Sequence, residues 1–130
     1  MALDPNALPD EVLAFLTERH LGTLATTRED GGLHAVAIGF TYDPAERLVR
    51  MITFGTSQKV RNARRPGARA AVGQVDGPRW VSLEGPVRVS DDPARVAAAV
   101  DAFAARYRPP SENPLRVALE IEVERIMGRG

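Results

Sequence analysis

From Thr23 to Val123 the chain is a series of short apolar and β-branched runs, each stopped by residues that turn the backbone. That punctuation is the strongest constraint on the fold. Glu29-Asp30-Gly31-Gly32, Asp43-Pro44, Gly55-Thr56-Ser57, Pro66-Gly67 and Asp76-Gly77 interrupt the apolar runs at close intervals, and such short connections give antiparallel hairpins. The runs predict six strands: Thr23–Thr27, His34–Tyr42, Leu48–Phe54, Ala68–Val75, Arg79–Val89 and Leu115–Val123. Asp76-Gly77 is a hairpin signal, although Pro78 argues against a plain two-residue turn, and Gly85-Pro86 marks a bulge or an edge. In the last run Leu115, Val117, Leu119, Ile121 and Val123 share one face. Glu120 and Glu122 fall on the other face, where they read as solvated.

Two helices and a helical turn complete the pattern. Pro9–Leu21 reads as a helix with Pro9 at its first position, Asp10 and Glu11 at its positive end, and Arg19 and His20 in its last turn. Asp92-Pro93 opens a second helix, with Val96, Val100, Phe103 and Tyr107 near one face. Gln58–Arg65 is a short basic helix, and Arg108–Asn113 is a loop. Six hairpin-joined strands with peripheral helices predict an α+β fold, an antiparallel barrel closed or nearly so. A length of 130 residues fits a single domain, 1–130.

Composition removes several function classes. Without cysteine there is no disulfide, zinc-thiolate site or thiol nucleophile. The start, Met-Ala-Leu-Asp-Pro-Asn, lacks the basic and apolar stretches of a signal peptide, and no run is long enough to span a bilayer. A cytoplasmic protein with no membrane partner is expected. The 17 basic and 17 acidic residues balance, which argues against a general nucleic-acid binder. The balance hides an asymmetry, because Arg47–Val75 holds seven basic residues and no acid. A local anionic ligand, or a solvated basic helix face, would explain it.

His20 and His34 are separated by a turn and a strand with no carboxylate at an i+3 or i+4 ligand spacing that repeats, and no serine sits in a nucleophile elbow, so neither a metal site nor a hydrolase is expected. The informative segment is Thr53–Arg65, TFGTSQKVRNARR. A strand ends at Phe54, Gly55 turns the chain, and Thr56 and Ser57 lead into a basic helix, an arrangement suited to an anion. Lys59, the one lysine of the chain, and Arg61 add charge beside it. Gln74 and Trp80 stand on either side of the Asp76-Gly77 turn, where an amide and an aromatic can face a planar ring. The small residues Ala35, Ala37 and Gly39 of the strand His34–Tyr42 permit close backbone approach.

The segments HAVAIGFTYD, LVRMITFGTSQKVRNARR and VGQVDGPRWVSLEGPVRV resemble the flavin- and deazaflavin-binding split β-barrel family related to pyridoxamine-5′-phosphate oxidases. The match is to its branch using coenzyme F420, and within that to F420-dependent biliverdin reductases. The resemblance implies a homodimer with cofactor sites at the interface. Ser57, Gln58, Lys59 and Asn62 would hold the cofactor phosphate, together with Thr53, Gly55 and Thr56 of the same turn. Val36 and Ile38 would form a wall, and Gln74, Arg79 and Trp80 would approach from the partner subunit or close the rim. Arg61, Arg64 and Arg65 would meet the anionic F420 tail, and Arg106 or Arg108 would meet carboxylates of the acceptor. The reaction implied is hydride transfer from reduced deazaflavin to a conjugated acceptor, biliverdin giving bilirubin, with no catalytic side chain required. An FMN-dependent oxidoreductase of the pyridoxamine-phosphate type, or a non-catalytic carrier of F420 or a tetrapyrrole, remains open at this point.

Overall fold

A computed structural model describes residues 1–130. It contains nine strands and three helices. The first elements are β1 (Ala2–Leu3), α1 (Asp10–Phe15), β2 (Gly22–Thr27), β3 (Leu33–Ile38), β4 (Thr41–Asp43) and β5 (Leu48–Phe54). They are followed by α2 (Gln58–Ala63), β6 (Arg69–Asp76), β7 (Arg79–Ser90), α3 (Pro93–Arg106), β8 (Arg116–Glu122) and β9 (Arg125–Arg129).

Every strand pair is antiparallel, as the short connections require. The sheet runs β3-β2-β6-β7-β8-β5-β4, with β9 on β7 and β1 on β9. It is a nine-stranded sheet that does not close, where the sequence predicts six strands in a closed or nearly closed barrel. Two causes account for the count. The strand expected over His34–Tyr42 breaks at Gly39-Phe40, where a Cβ on Gly39 would stand 2.7 Å from Phe103, and the Phe40 backbone bonds to the Tyr107 hydroxyl instead of a ladder. The terminal strands β1 and β9 are short, and their residues carry no clean alternation to mark them.

The twelve-residue β7 joins the two halves of the sheet. Trp80–Glu84 pairs with β9 and Val87–Ser90 with β8. Between them Gly85 passes so close to the Glu122 carbonyl that a Cβ would collide with it. Gly85-Pro86 is therefore a crossing point inside the sheet, where only glycine fits. At the other end of β7 the hairpin is a two-residue turn after all, with Asp76 opposite Arg79 and Gly77 at φ 60°. Proline is tolerated at the second turn position because positive φ is needed only at the first.

Twenty buried residues form one core, with Phe15, Leu24, Phe40, Met51, Leu83 and Ile126 among its fully enclosed side chains. Helix α1 ends at Phe15, well before Leu21, because the Thr17 hydroxyl bonds to the Ala14 carbonyl and the chain tightens there. His20 consequently lies in a loop beside Glu18 rather than on a helix end. Asp92 caps α3 through a bond from Arg95 N at 3.4 Å. Glu120, read as solvated, is 1% exposed and accepts from Arg88 at 2.7 Å and Arg95 at 3.0 Å. Those two arginines cover the outer face of β8, so alternation hides burial on both sides. No helix is long and apolar enough to cross a membrane.

Candidate functional site

The strand-to-helix turn after β5 is held at both ends. Gly55 N donates to Leu115 O at 2.9 Å, pinning the turn to the chain entering β8, and Ser57 N donates to Phe54 O at 3.2 Å. Ser57 stands at the N-cap in an extended conformation (φ −71°, ψ 155°) without capping α2 through its side chain. Its hydroxyl instead meets Thr53 Oγ1 at 3.4 Å.

The polar side chains of α2 hold one another. Arg61 donates to Thr56 O at 2.7 Å and to Gln58 Oε1 at 2.6 Å. Gln58 donates to Asn62 Oδ1 at 2.8 Å, and buried Asn62 donates to Thr26 Oγ1 of β2 at 2.9 Å. This relay locks α2 onto the sheet through Gln58 and Asn62.

Lys59 is different. It has no carboxylate partner, and its Nζ stands 6.0 Å from the centre of the Phe54 ring. Burial holds its ammonium below the usual lysine range. Lys59 faces a cleft of about 350 Å³ together with Ile38 of β3 and Thr53 of β5. Ile52, Phe54 and Phe103 supply apolar wall, and Ser111, Asn113 and Arg116 close the far side. No carboxylate lines it.

Val36 and His34 precede Ile38 at alternate positions on the same half-buried face of β3. The buried Nδ1 of His34 has no hydrogen-bond partner. His34 lies opposite Thr26 in the β2–β3 register, and Thr26 is bound by Asn62, one turn along α2 from Lys59. Burial, with Arg28 and Lys59 adding positive charge, lowers its imidazole pKa. An uncompensated lysine and an orphaned imidazole nitrogen in an acid-free setting suit an anion.

The other residues singled out in the sequence lie elsewhere within the chain. Gln74 is fully buried, donating to Phe15 O at 2.9 Å and accepting from Arg106 at 2.5 Å. Arg106 also donates to Glu18 O at 2.8 Å and Phe40 O at 2.6 Å, so its fork is occupied. Arg79 bonds both carboxylate oxygens of Glu18, at 2.6 and 3.0 Å, and also reaches Asp76. His20 joins that ion-paired group, its Nε2 3.2 Å from Glu18. Trp80 is half-buried opposite Val75 in the hairpin. Arg64 lines a separate cleft with Arg88 and Asp91, and Arg65 donates to Thr27 O at 2.8 Å, so the three arginines of α2 and its end share no groove.

Reading the sequence missed Phe103, Ser111, Asn113 and Arg116. They come from the end of α3, the following loop and the first position of β8, far along the chain from the Thr53–Lys59 turn. Alternation along β3 would have found His34.

Residues 8–129 match the model of the pyridoxamine 5′-phosphate oxidase family. The chain belongs to that family. Among relatives of this oxidase family, an F420H(2)-dependent biliverdin reductase of Mycobacterium tuberculosis (strain CDC 1551 / Oshkosh) is 50% identical over 121 residues, covering 93% of this chain and 88% of its own. A solved structure described as an F420 reductase superposes with a TM-score of 0.75 at 25% identity, over 92% of this chain and 98% of that one. A conserved hypothetical protein of Mycobacterium tuberculosis shares the fold with a TM-score of 0.78 at 24% identity, covering 95% and 85%.

Proposed function

We propose that this oxidase-family member is an F420H2-dependent reductase whose acceptor is biliverdin. The observation that carries the reading is Lys59, a half-buried cation without a partner in an acid-free cleft at a strand-to-helix turn. The 50% identity with an F420H(2)-dependent biliverdin reductase supports F420 as the cofactor and biliverdin as the acceptor.

The residues present fit the cofactor. Lys59 would neutralise its phosphate, the Ser57 hydroxyl, free of any capping bond, would donate to it, and His34 Nδ1 lies on the adjoining strand. Val36, Ile38 and Thr53 would form the wall against which the flat ring lies, and Gln58, Arg61 and Asn62 would keep α2 in place. When bound, the reduced deazaflavin supplies a hydride from ring carbon C5. Hydride delivery to the central methine carbon of biliverdin, with a proton from water at a pyrrole nitrogen, would give bilirubin. The protein's part is to hold two flat molecules face to face and exclude water between them.

The reading includes a homodimer of split barrels. The outward faces of β2, β3 and β6 support it, because Thr23, Ala25, Ala35, Ala37 and Gly73 lie side by side there without a charge. Leu33 and Val75 stand 78% and 72% exposed beside them. Trp80 follows on the neighbouring strand, within reach of a partner packed on that face.

Fluorescence titration with F420 and, separately, FMN at two salt concentrations tests the cofactor assignment. F420 should bind tightly and weaken as salt rises, with feeble FMN binding. A preference for FMN would overturn it.

A further inference from the structure

A second cleft, of about 460 Å³, adjoins the Lys59 cleft and shares Phe103 and Ser111 with it. Pro109, Pro110 and Arg108 supply the rest of its lining, again without a carboxylate. We propose that this second cleft is the acceptor subsite and that the Arg108 guanidinium binds a carboxylate of the acceptor. The proposal rests on the Lys59 cleft being the cofactor site.

Three observations carry it. Arg108 has no hydrogen-bond or ion-pair partner, whereas Arg106, two residues earlier, donates to Glu18 O, Phe40 O and Gln74 Oε1. Arg50, Arg79, Arg88 and Arg95 likewise spend their charge on carboxylates of this chain. Of the two arginines at the end of α3, only Arg108 has its planar fork free for an external carboxylate.

The cleft is also stiff. Two consecutive prolines fix φ in the loop, Arg116 donates to Ser111 O at 2.5 Å, and Leu115 N donates to Asn113 Oδ1 at 2.9 Å. A rim already held in place spares the ligand the entropy of ordering it.

Its chemistry is complementary to a flat, conjugated carboxylic acid. Phe103, Pro109 and Pro110 offer apolar surface to a ring system, and Arg108 stands at the edge. Biliverdin, a conjugated linear tetrapyrrole carrying two propionates, offers such rings and carboxylates.

The test compares biliverdin with its dimethyl ester, which keeps the rings and loses both charges. With the F420-loaded protein, Arg108→Ala should raise the biliverdin KM about tenfold, as expected for one lost charge-assisted contact. It should leave kcat and F420 affinity unchanged, and Arg108→Lys should recover part of the loss. The ester should bind wild type and R108A equally. Visible-absorbance titration of the pigment without cofactor reads the same contact independently of turnover. An equal effect of R108A on both pigments, no effect on either, or no biliverdin binding by the wild type would overturn the proposal. Failure of F420 to bind, with the difference between pigments intact, would instead count against the cofactor reading alone.

Discussion

Arg106 Nη2 donates to Gln74 Oε1 at 2.5 Å, and this bond ties the end of α3 to the middle of β6. The Arg106 guanidinium also lies 4.7 Å from the Phe40 ring centre, while the Gln74 amide reaches back to Phe15 O. Both side chains are thus consumed inside the domain.

Gln74→Ala should destabilise the fold by about 2–4 kcal/mol, since it opens a cavity, leaves an Arg106 donor unpaired and leaves the Phe15 carbonyl with the Glu18 amide alone. Urea unfolding measures this. Retained stability would show that the network is dispensable.

These residues also show what sequence could and could not reveal. The hairpin order, β5 from Leu48 to Phe54, and the turn before α2 were legible because alternation and turn residues are local signals. Gln74 and Arg106 were singled out by chain position, yet their partners lie 32 or more residues away, where no local pattern reaches. Glu120 misled for the same reason: its alternation is regular, but Arg88 and Arg95 arrive from other elements to bury it. The division of the long strand at Gly39 depends on Phe103 and Tyr107 packing against it, a tertiary contact that the sequence of β3 does not announce.

Glu120→Ala should cost on the order of 1–3 kcal/mol in a denaturant melt. The loss is smaller than for a fully enclosed ion pair because Arg88 and Arg95 are 43% and 50% exposed and can turn to water. Glu120→Gln should recover part of it through its remaining acceptor. Equal losses for both variants would mean that charge, not hydrogen bonding, holds this site.

Lys59→Met should weaken F420 binding by roughly ten- to a hundredfold, the loss of a charge-assisted contact, and flatten its salt dependence. Thermal stability should hold or rise slightly, because the variant removes a desolvated ammonium without a partner. Isothermal titration beside a thermal melt separates the two effects. A variant that binds normally would remove Lys59 from the site.

His34 gives the unliganded protein an acid-sensitive step. Burial lowers its pKa in the fold below the ordinary value of 6.5, with Arg28 and Lys59 nearby. Below pH 6.5 the unfolded chain takes up a proton that the folded chain resists, so this contribution to stability is whole above that pH and declines as pH falls toward the folded pKa. Wild type should therefore lose more Tm between pH 7.5 and 5 than His34→Leu does. Parallel pH profiles would contradict this.

The most direct test of the account mixes purified protein with stoichiometric F420H2 and biliverdin under anaerobic conditions and follows both chromophores. One bilirubin should form for each F420H2 oxidised, and Lys59→Met should slow the reaction at subsaturating cofactor. Absence of biliverdin reduction with F420H2, alongside tight binding of FMN, would contradict it.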